Sequence, residues 1–216
     1  VLFIGNSYTY VNDLPGTFER LARAAGRNFA TERLAWPNAS LMEHLADPRT
    51  AQALRARRWS VVVLQEKSTI PGDDALRRRY MVPAARALAA EVRRAGAVPM
   101  LFLTWGHLGG EPAAALYGYP QMQAAVDRGY RAESRELDAP VAPVGEAWWA
   151  DFRSRSRHQL WLSDGSHPTP AGTYLAACVF FATVFGDTPV GIRYDGGLGP
   201  GEARELQVIA ARTAGV

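Results

Sequence analysis

Three short apolar runs set the strongest limit on what this chain can fold into. Val1 to Ile4, Val61 to Leu64 and Val98 to Leu103 are continuous or nearly so. A strand with one wet face alternates apolar and polar residues; a strand covered on both faces reads as an unbroken run. Helical stripes lie between the runs. Leu14, Phe18, Leu21, Ala22 and Ala25 recur at helical spacing, with Glu19, Arg20 and Arg23 facing away, and Gly26 follows as a stop. Ala85, Leu88, Ala89 and Val92 repeat the pattern before Gly96. Phe29 to Leu34 and Pro140 to Val144 are expected as further strands. Strand and helix therefore alternate from end to end, which predicts an α/β fold with a central, mostly parallel sheet of about five strands covered on both sides.

A length of 216 residues, 48% of them hydrophobic, suits one domain spanning 1–216, and no composition break, repeat or low-complexity tract divides it. Lys67 is the only lysine, so arginine carries the positive charge, and 24 basic against 21 acidic residues leave a net charge of +3. Runs such as Arg77-Arg78-Arg79 read as solvated helix faces, and they lack the interleaved aromatics of a nucleic-acid site. Cys178 is the only cysteine, which excludes an intramolecular disulfide and a Cys-rich zinc site. No His or Cys pair has metal-ligand spacing, and neither metal nor cofactor is expected. The longest apolar stretch, Tyr174 to Phe185, has about 12 residues, short of the ~20 that a helical membrane span needs. The sequence opens directly on an apolar strand, so further sequence is expected upstream of Val1. A signal peptide there would make the protein extracytoplasmic, and the residues present leave localisation open.

Two segments carry chemistry. Gly5-Asn6-Ser7 follows the first buried strand and precedes a helix, which puts Ser7 at a strand-to-helix turn on the carboxyl edge of the sheet. Gly5 permits a tight turn, and the Ser7 N–H, without a helical partner, is free to point at a developing oxyanion. A serine needs a base to take its proton. Ser163-Asp164-Gly165-Ser166-His167-Pro168 offers one: with Asp and His three residues apart on one loop, the carboxylate can hold one imidazole nitrogen while the other faces the serine. Taken singly, Ser7 or Asn6 could be a turn cap, and Asp164 and His167 a cap and a surface histidine.

Together the segments resemble the SGNH (GDSL-type) hydrolase superfamily, in the variant with Gly-Asn-Ser in place of Gly-Asp-Ser. The resemblance extends to Tyr8-Thr9-Tyr10, Asn12, Leu14 and Pro15, and runs in order through the Pro37-Asn38-Ala39-Ser40-Leu41 turn, Val62-Val63-Leu64-Gln65-Glu66, Thr104-Trp105-Gly106 and the Asp164/His167 loop. It implies a three-layer α/β/α sandwich of flavodoxin-like form that hydrolyses carboxylic esters or thioesters with Ser7, Asp164 and His167 and without a cofactor. Short acyl groups, particularly acetyl on a carbohydrate, are the substrates it favours. An acyltransferase using the same triad, and a non-catalytic carbohydrate-binding protein of the same fold, are the alternatives.

Two positions depart from the family pattern. Where it has a glycine after strand two, this chain has Pro37-Asn38-Ala39; Asn38, which tolerates left-handed backbone, is the candidate for the second oxyanion N–H. Where it has an Asn after strand three, this chain has Gln65, whose amide is assigned to the oxyanion hole as third donor, with bracing of the loop as the alternative. Asn6, Trp105 and His107 are expected to line the substrate site. The Gly106 to Pro120 loop is expected to border it. His44 reads as structural, Glu66 is given no catalytic role, and Trp148, Trp149 and Trp161 could form a flat wall or pack in the core.

Overall fold

A computed structural model describes all 216 residues. In chain order the strands are β1 (Leu2–Gly5), β2 (Glu32–Ala35), β3 (Val61–Leu64), β4 (Val98–Phe102), β5 (Gly110–Glu111), β6 (Leu116–Tyr117) and β7 (Val141–Ala142). The helices are α1 (Ser7–Tyr10), α2 (Leu14–Ala24), α3 (Leu41–Ala46), α4 (Pro48–Ala56), α5 (Asp74–Leu76), α6 (Val82–Arg94), α7 (Gly118–Leu137), α8 (Val144–Phe152), α9 (Pro170–Phe185) and α10 (Pro200–Ala214). A π-helical turn, Arg77–Met81, joins α5 to α6. Five strands form one sheet in the order β2-β1-β3-β4-β7, and every pairing in it is parallel.

Successive residues of a strand point to opposite faces, and the two cores divide accordingly. Phe3, Val63, Met100 and Phe102 meet Leu14, Phe18 and Leu21 of α2, Phe180 and its neighbours in α9, and Trp148 of α8. Leu2, Ile4, Val62, Leu64 and Leu101 meet Leu41, Leu54, Leu88 and Val92 of α3, α4 and α6, with Met122, Val126 and Tyr130 of α7. The result is a three-layer α/β/α sandwich. Helix α9 is apolar all round because it is enclosed by α2, α8 and α10 as well as the sheet. Cys178 sits within it, fully buried, and burial pushes its thiol well up.

The expected strand from Phe29 starts later, at Glu32. The Phe29 ring is drawn instead to Phe18 and Phe185, 5.0 and 5.5 Å between centroids, so packing below the sheet overrides strand propensity at that point. The expected strand from Pro140 to Val144 narrows to two residues, because the chain turns into α8 at Val144. The Gly106 to Pro120 segment, expected to be irregular, contains the antiparallel hairpin β5–β6.

From β1 the chain goes to β2 on one side and then to β3 on the other, so the carboxyl end of β1 is the point at which strand order reverses. In an open α/β sheet this is the usual ligand position. Ser7 is the second residue beyond β1.

Candidate active site

The turn that carries Ser7 is locked from three directions. Asn6 caps α1 with its side-chain oxygen, which accepts the Tyr8 N–H at 3.1 Å, and its Nδ2 donates to the Ala39 carbonyl at 2.9 Å. Its own N–H donates to Gln65 Oε1 at 2.9 Å, and the Thr9 hydroxyl reaches the same oxygen at 3.0 Å. A Cβ on Gly5 would come within 2.4 Å of that oxygen and 2.5 Å of Thr9 Oγ1, so only glycine lets Gln65 approach so closely. Underneath, His44 is fully buried and its Nε2 donates to the Gly5 carbonyl at 2.8 Å; burial lowers its pKa and keeps the ring neutral. Ser7, the first residue of α1, keeps an N–H with no partner.

The second segment is a compact loop closed by the Trp161–Pro168 bridge. One Asp164 oxygen accepts the N–H groups of Ser166 and His167, both at 2.9 Å, and the other lies 2.6 Å from His167 Nδ1. His167 Nε2 is 3.0 Å from Ser7 Oγ. Desolvation works to raise the Asp164 carboxyl, but the Ser166 N–H, the His167 ring and the His167 N–H outweigh it and bring the carboxyl down to about 2. An ionised carboxylate at that distance holds the proton on Nδ1 and leaves Nε2 to accept from the serine hydroxyl.

Three hydrogen bonds span about 160 residues of chain to fasten the Ser7 side to the histidine loop and the start of α9, and a fourth, from Trp105, holds the histidine loop from β4's side. Asn12 Nδ2 donates to the Pro168 carbonyl at 2.8 Å and to Thr173 Oγ1 at 3.1 Å, from a left-handed backbone (φ 53°). The Tyr8 hydroxyl lies 2.9 Å from Ser166 Oγ, and Trp105 Nε1 donates to the Ser166 carbonyl at 2.9 Å. Burial pushes the Tyr8 phenol up to about 12, so its proton is retained. Tyr8 stacks on Trp105 at 4.3 Å and Trp105 on Trp148 at 4.0 Å, a rigid column beneath the histidine loop.

The expected site residues other than His107 sort into three groups. Ser7, Asp164 and His167 come together in one chain of hydrogen bonds. Asn38, beyond the carboxyl end of β2, is exposed, with φ 58° and an N–H that makes no hydrogen bond; Pro37 before it and the Ala39 N–H to Trp36 carbonyl bond make the pattern of a type II turn. The assignments of Gln65, Asn6 and Trp105 need correction. Gln65 is fully buried, with its oxygen on Asn6 and Thr9 and its Nε2 donating to the Glu66 carbonyl at 2.7 Å, so it braces the Ser7 turn and has no amide hydrogen turned to a ligand. Asn6, 4% exposed, ties Ser7 to the Ala39 loop, and Trp105 and Trp148, fully buried, are core rather than wall. Trp161 is also core, while Trp149 is half-buried. Glu66 is a clip beside the same loop: its Oε1 accepts from Leu41 at 3.1 Å and Lys67 at 2.7 Å, and burial pushes its carboxyl up to about 7 against those bonds.

His107 stands in the loop five residues beyond β4, half-buried, with Nε2 3.0 Å from Ser68 Oγ. Ser68 and Ser166 escape a reading of the sequence because nothing in a lone serine announces a partner 39 or 158 residues away. No group of three or more His, Cys, Asp or Glu side chains is arranged to hold a metal ion. No helix is long and apolar enough to cross a membrane.

A serine, histidine and aspartate joined in this order at the carboxyl edge of a parallel α/β/α sheet is the arrangement of serine hydrolases. The solved structures similar to the chain narrow that class. A candidate SGNH hydrolase from Slackia heliotrinireducens superposes with a TM-score of 0.69 at 27% identity, over 85% of this chain and 97% of that one. A DUF4886 family protein from Bacteroides uniformis matches with a TM-score of 0.86 at 17% identity, over 98% and 93%. The esterase EstA from a Pseudoalteromonas species, in a structure inhibited by monoethylphosphonate, matches with a TM-score of 0.58 at 14% identity, over 86% and 96%. No protein-family model and no curated protein matches the sequence. The chain has the fold of the SGNH hydrolases, and its structural neighbours include esterases, lipases and acylhydrolases.

Proposed function

We propose that the protein is a serine ester hydrolase that works through an acyl-enzyme and takes short acyl groups, such as acetyl, from a bulky alcohol such as a carbohydrate. The observation that carries this reading is the unbroken chain from Ser7 Oγ to His167 at 3.0 Å and on to Asp164 at 2.6 Å. His167 Nε2 takes the Ser7 proton as Oγ attacks the ester carbonyl carbon. The negative charge that develops on the carbonyl oxygen is met by the free N–H groups of Ser7 and Asn38. As the tetrahedral intermediate collapses, His167 returns the proton to the departing alcohol oxygen and the acyl group stays on Ser7. Water, activated by the same nitrogen, then releases the acid. Asp164 holds the imidazole and stabilises its charged form without taking the proton.

The outer parts of the triad support a bulky alcohol. The side chains of His167 and Asp164 are 35% and 48% exposed, so the rim of the site is open rather than roofed. In the test, Ser7→Ala should lower kcat on p-nitrophenyl acetate by roughly 10⁴–10⁶-fold with the fold intact, and a fluorophosphonate should label wild type at Ser7 alone. A Ser7→Ala protein that hydrolyses the ester at the wild-type rate would overturn the reading.

A further inference from the structure

We propose that Ser68 and His107 form a recognition subsite for hydroxyl groups on the alcohol part of the ester, so that the enzyme selects polyol esters, sugars above all, by their leaving group. The inference rests on the esterase reading and deepens it.

The sides of the site are set by sheet order. The Asn38 turn follows β2, on one flank of Ser7, whereas Ser68 follows β3 and His107 follows β4, on the other. A carbonyl oxygen turned toward the N–H groups of Ser7 and Asn38 leaves the ester's alcohol oxygen beside His167, because that oxygen must receive the proton from Nε2. The segment carrying His107 is fastened to the His167 loop: the Leu108 N–H donates to the Gly165 carbonyl at 2.7 Å, and a Cβ on Gly165 would lie 3.4 Å from Leu108 Cβ. The alcohol therefore leaves along the flank that His107 occupies.

The chemistry of the pair suits hydroxyl groups. Ser68 Oγ and His107 Nε2 are 3.0 Å apart, and His107 Nδ1 faces Glu111 Oε2 at 3.9 Å. Both His107 and Glu111 keep about a fifth of their side chains exposed, 21% and 23%. A serine hydroxyl and an imidazole together offer a donor and an acceptor side by side, which is what a sugar hydroxyl, itself both, pairs with. Burial lowers the imidazole's pKa, against Glu111, the Gly110 carbonyl and Asp164, which raise it, while His167 acts with burial; the ring is kept neutral, which favours a hydroxyl over an anion. On the adjoining strand Tyr117, cross-strand partner of Gly110, is 65% exposed and offers a flat apolar face of the kind that stacks on sugar rings.

The experiment compares wild type, Ser68→Ala, His107→Ala and His107→Gln on 6-O-acetylglucose and on p-nitrophenyl acetate, whose leaving group carries no neighbouring hydroxyls. The expected result is a rise in KM for the sugar ester of roughly tenfold in the alanine variants with a smaller change in kcat, a matching fall in the ratio of kcat/KM between the two substrates, and partial recovery in His107→Gln. Equal losses on both substrates in the two alanine variants would make the pair a structural latch between loops and overturn the subsite. Wild type that cleaves p-nitrophenyl acetate and ignores the sugar ester would overturn the subsite alone. Wild type inactive on both would remove the esterase reading, and the subsite with it.

Discussion

Two aspartate–histidine pairs in this chain share the same short contact, and only one of them ends on a serine. In each, an imidazole Nδ1 lies 2.6 Å from a carboxylate oxygen, and the same aspartate also accepts the histidine's own N–H. Asp151, on α8, is 1% exposed, and the outer nitrogen of its partner His158 faces Glu205 of α10 at 3.6 Å. Asp164 is 48% exposed, and the outer nitrogen of its partner meets Ser7. The two carboxyls are driven in opposite directions. Burial raises Asp151 in spite of His158, whereas in Asp164 the hydrogen bonds from Ser166 and His167 together outweigh desolvation and lower the carboxyl to about 2. An aspartate at hydrogen-bond distance orients a histidine wherever it occurs; the pairs differ in what the outer nitrogen meets, Ser7 Oγ in one and Glu205 in the other.

The largest effect that would break the comparison is on rate. Asp164→Asn should cost about 10⁴-fold in kcat with the geometry preserved, because an uncharged amide no longer holds the proton on Nδ1. Asp151→Asn should leave kcat on p-nitrophenyl acetate within about twofold, since it touches nothing in the Ser7 chain. Comparable losses in both variants would mean that the inner pair feeds the active site.

Stability should rank the pairs the other way. His158→Ala strands the buried Asp151 carboxylate, a defect of about 3–5 kcal/mol, and in a domain of this size that lowers the melting temperature by roughly 10 °C. His167→Ala leaves a carboxylate that water can reach, and its melting temperature should stay within about 2 °C of wild type. Calorimetry of the two variants checks this directly.

The smallest effect is in the pH dependence of stability, where the two aspartates should give opposite slopes. Asp164 in the folded protein ionises at about 2 and in the unfolded chain near 3.8, so the unfolded chain binds more protons between those values. Its contribution is present above 3.8 and is lost as pH falls through about 2. Asp151 is raised above 3.8 in the folded state, which holds a proton that the unfolded chain has released, so stability falls as pH rises through the window just above 3.8. Melting temperatures of Asp164→Asn and Asp151→Asn, each against wild type from pH 2 to 6, should show one slope removed by each variant.

Part of the candidate site could be read directly from the sequence. Ser7 follows an apolar run and precedes a helix, and Asp164 and His167 lie within one loop, so local spacing suffices to name them as candidates, and the fold brings the three into one hydrogen-bonded chain. The left-handed backbone of Asn38 follows from its place after Pro37 in a tight turn. Gln65 misleads because an amide can turn outward to a ligand or inward to the chain. The inward choice is made by Thr9 and Asn6, 56 and 59 residues away, and by the missing Cβ of Gly5. Trp105 fails as a substrate contact for a related reason: a stack with Tyr8 on one side and Trp148 on the other buries it completely.

What the sequence determined by itself is whatever depends on neighbours along the chain: apolar runs that must be strands covered on both faces, stripes that must be helices, a serine placed at a strand end, and an aspartate within reach of a histidine. Tertiary structure alone decided which histidine–aspartate pair would meet a serine, which amides would be spent inside the protein, and that Ser68 and His107 would share one hydrogen bond. The physical reason is that a hydrogen bond between distant residues depends on where the sheet brings their loops, and burial then decides which polar groups remain free to act on a ligand.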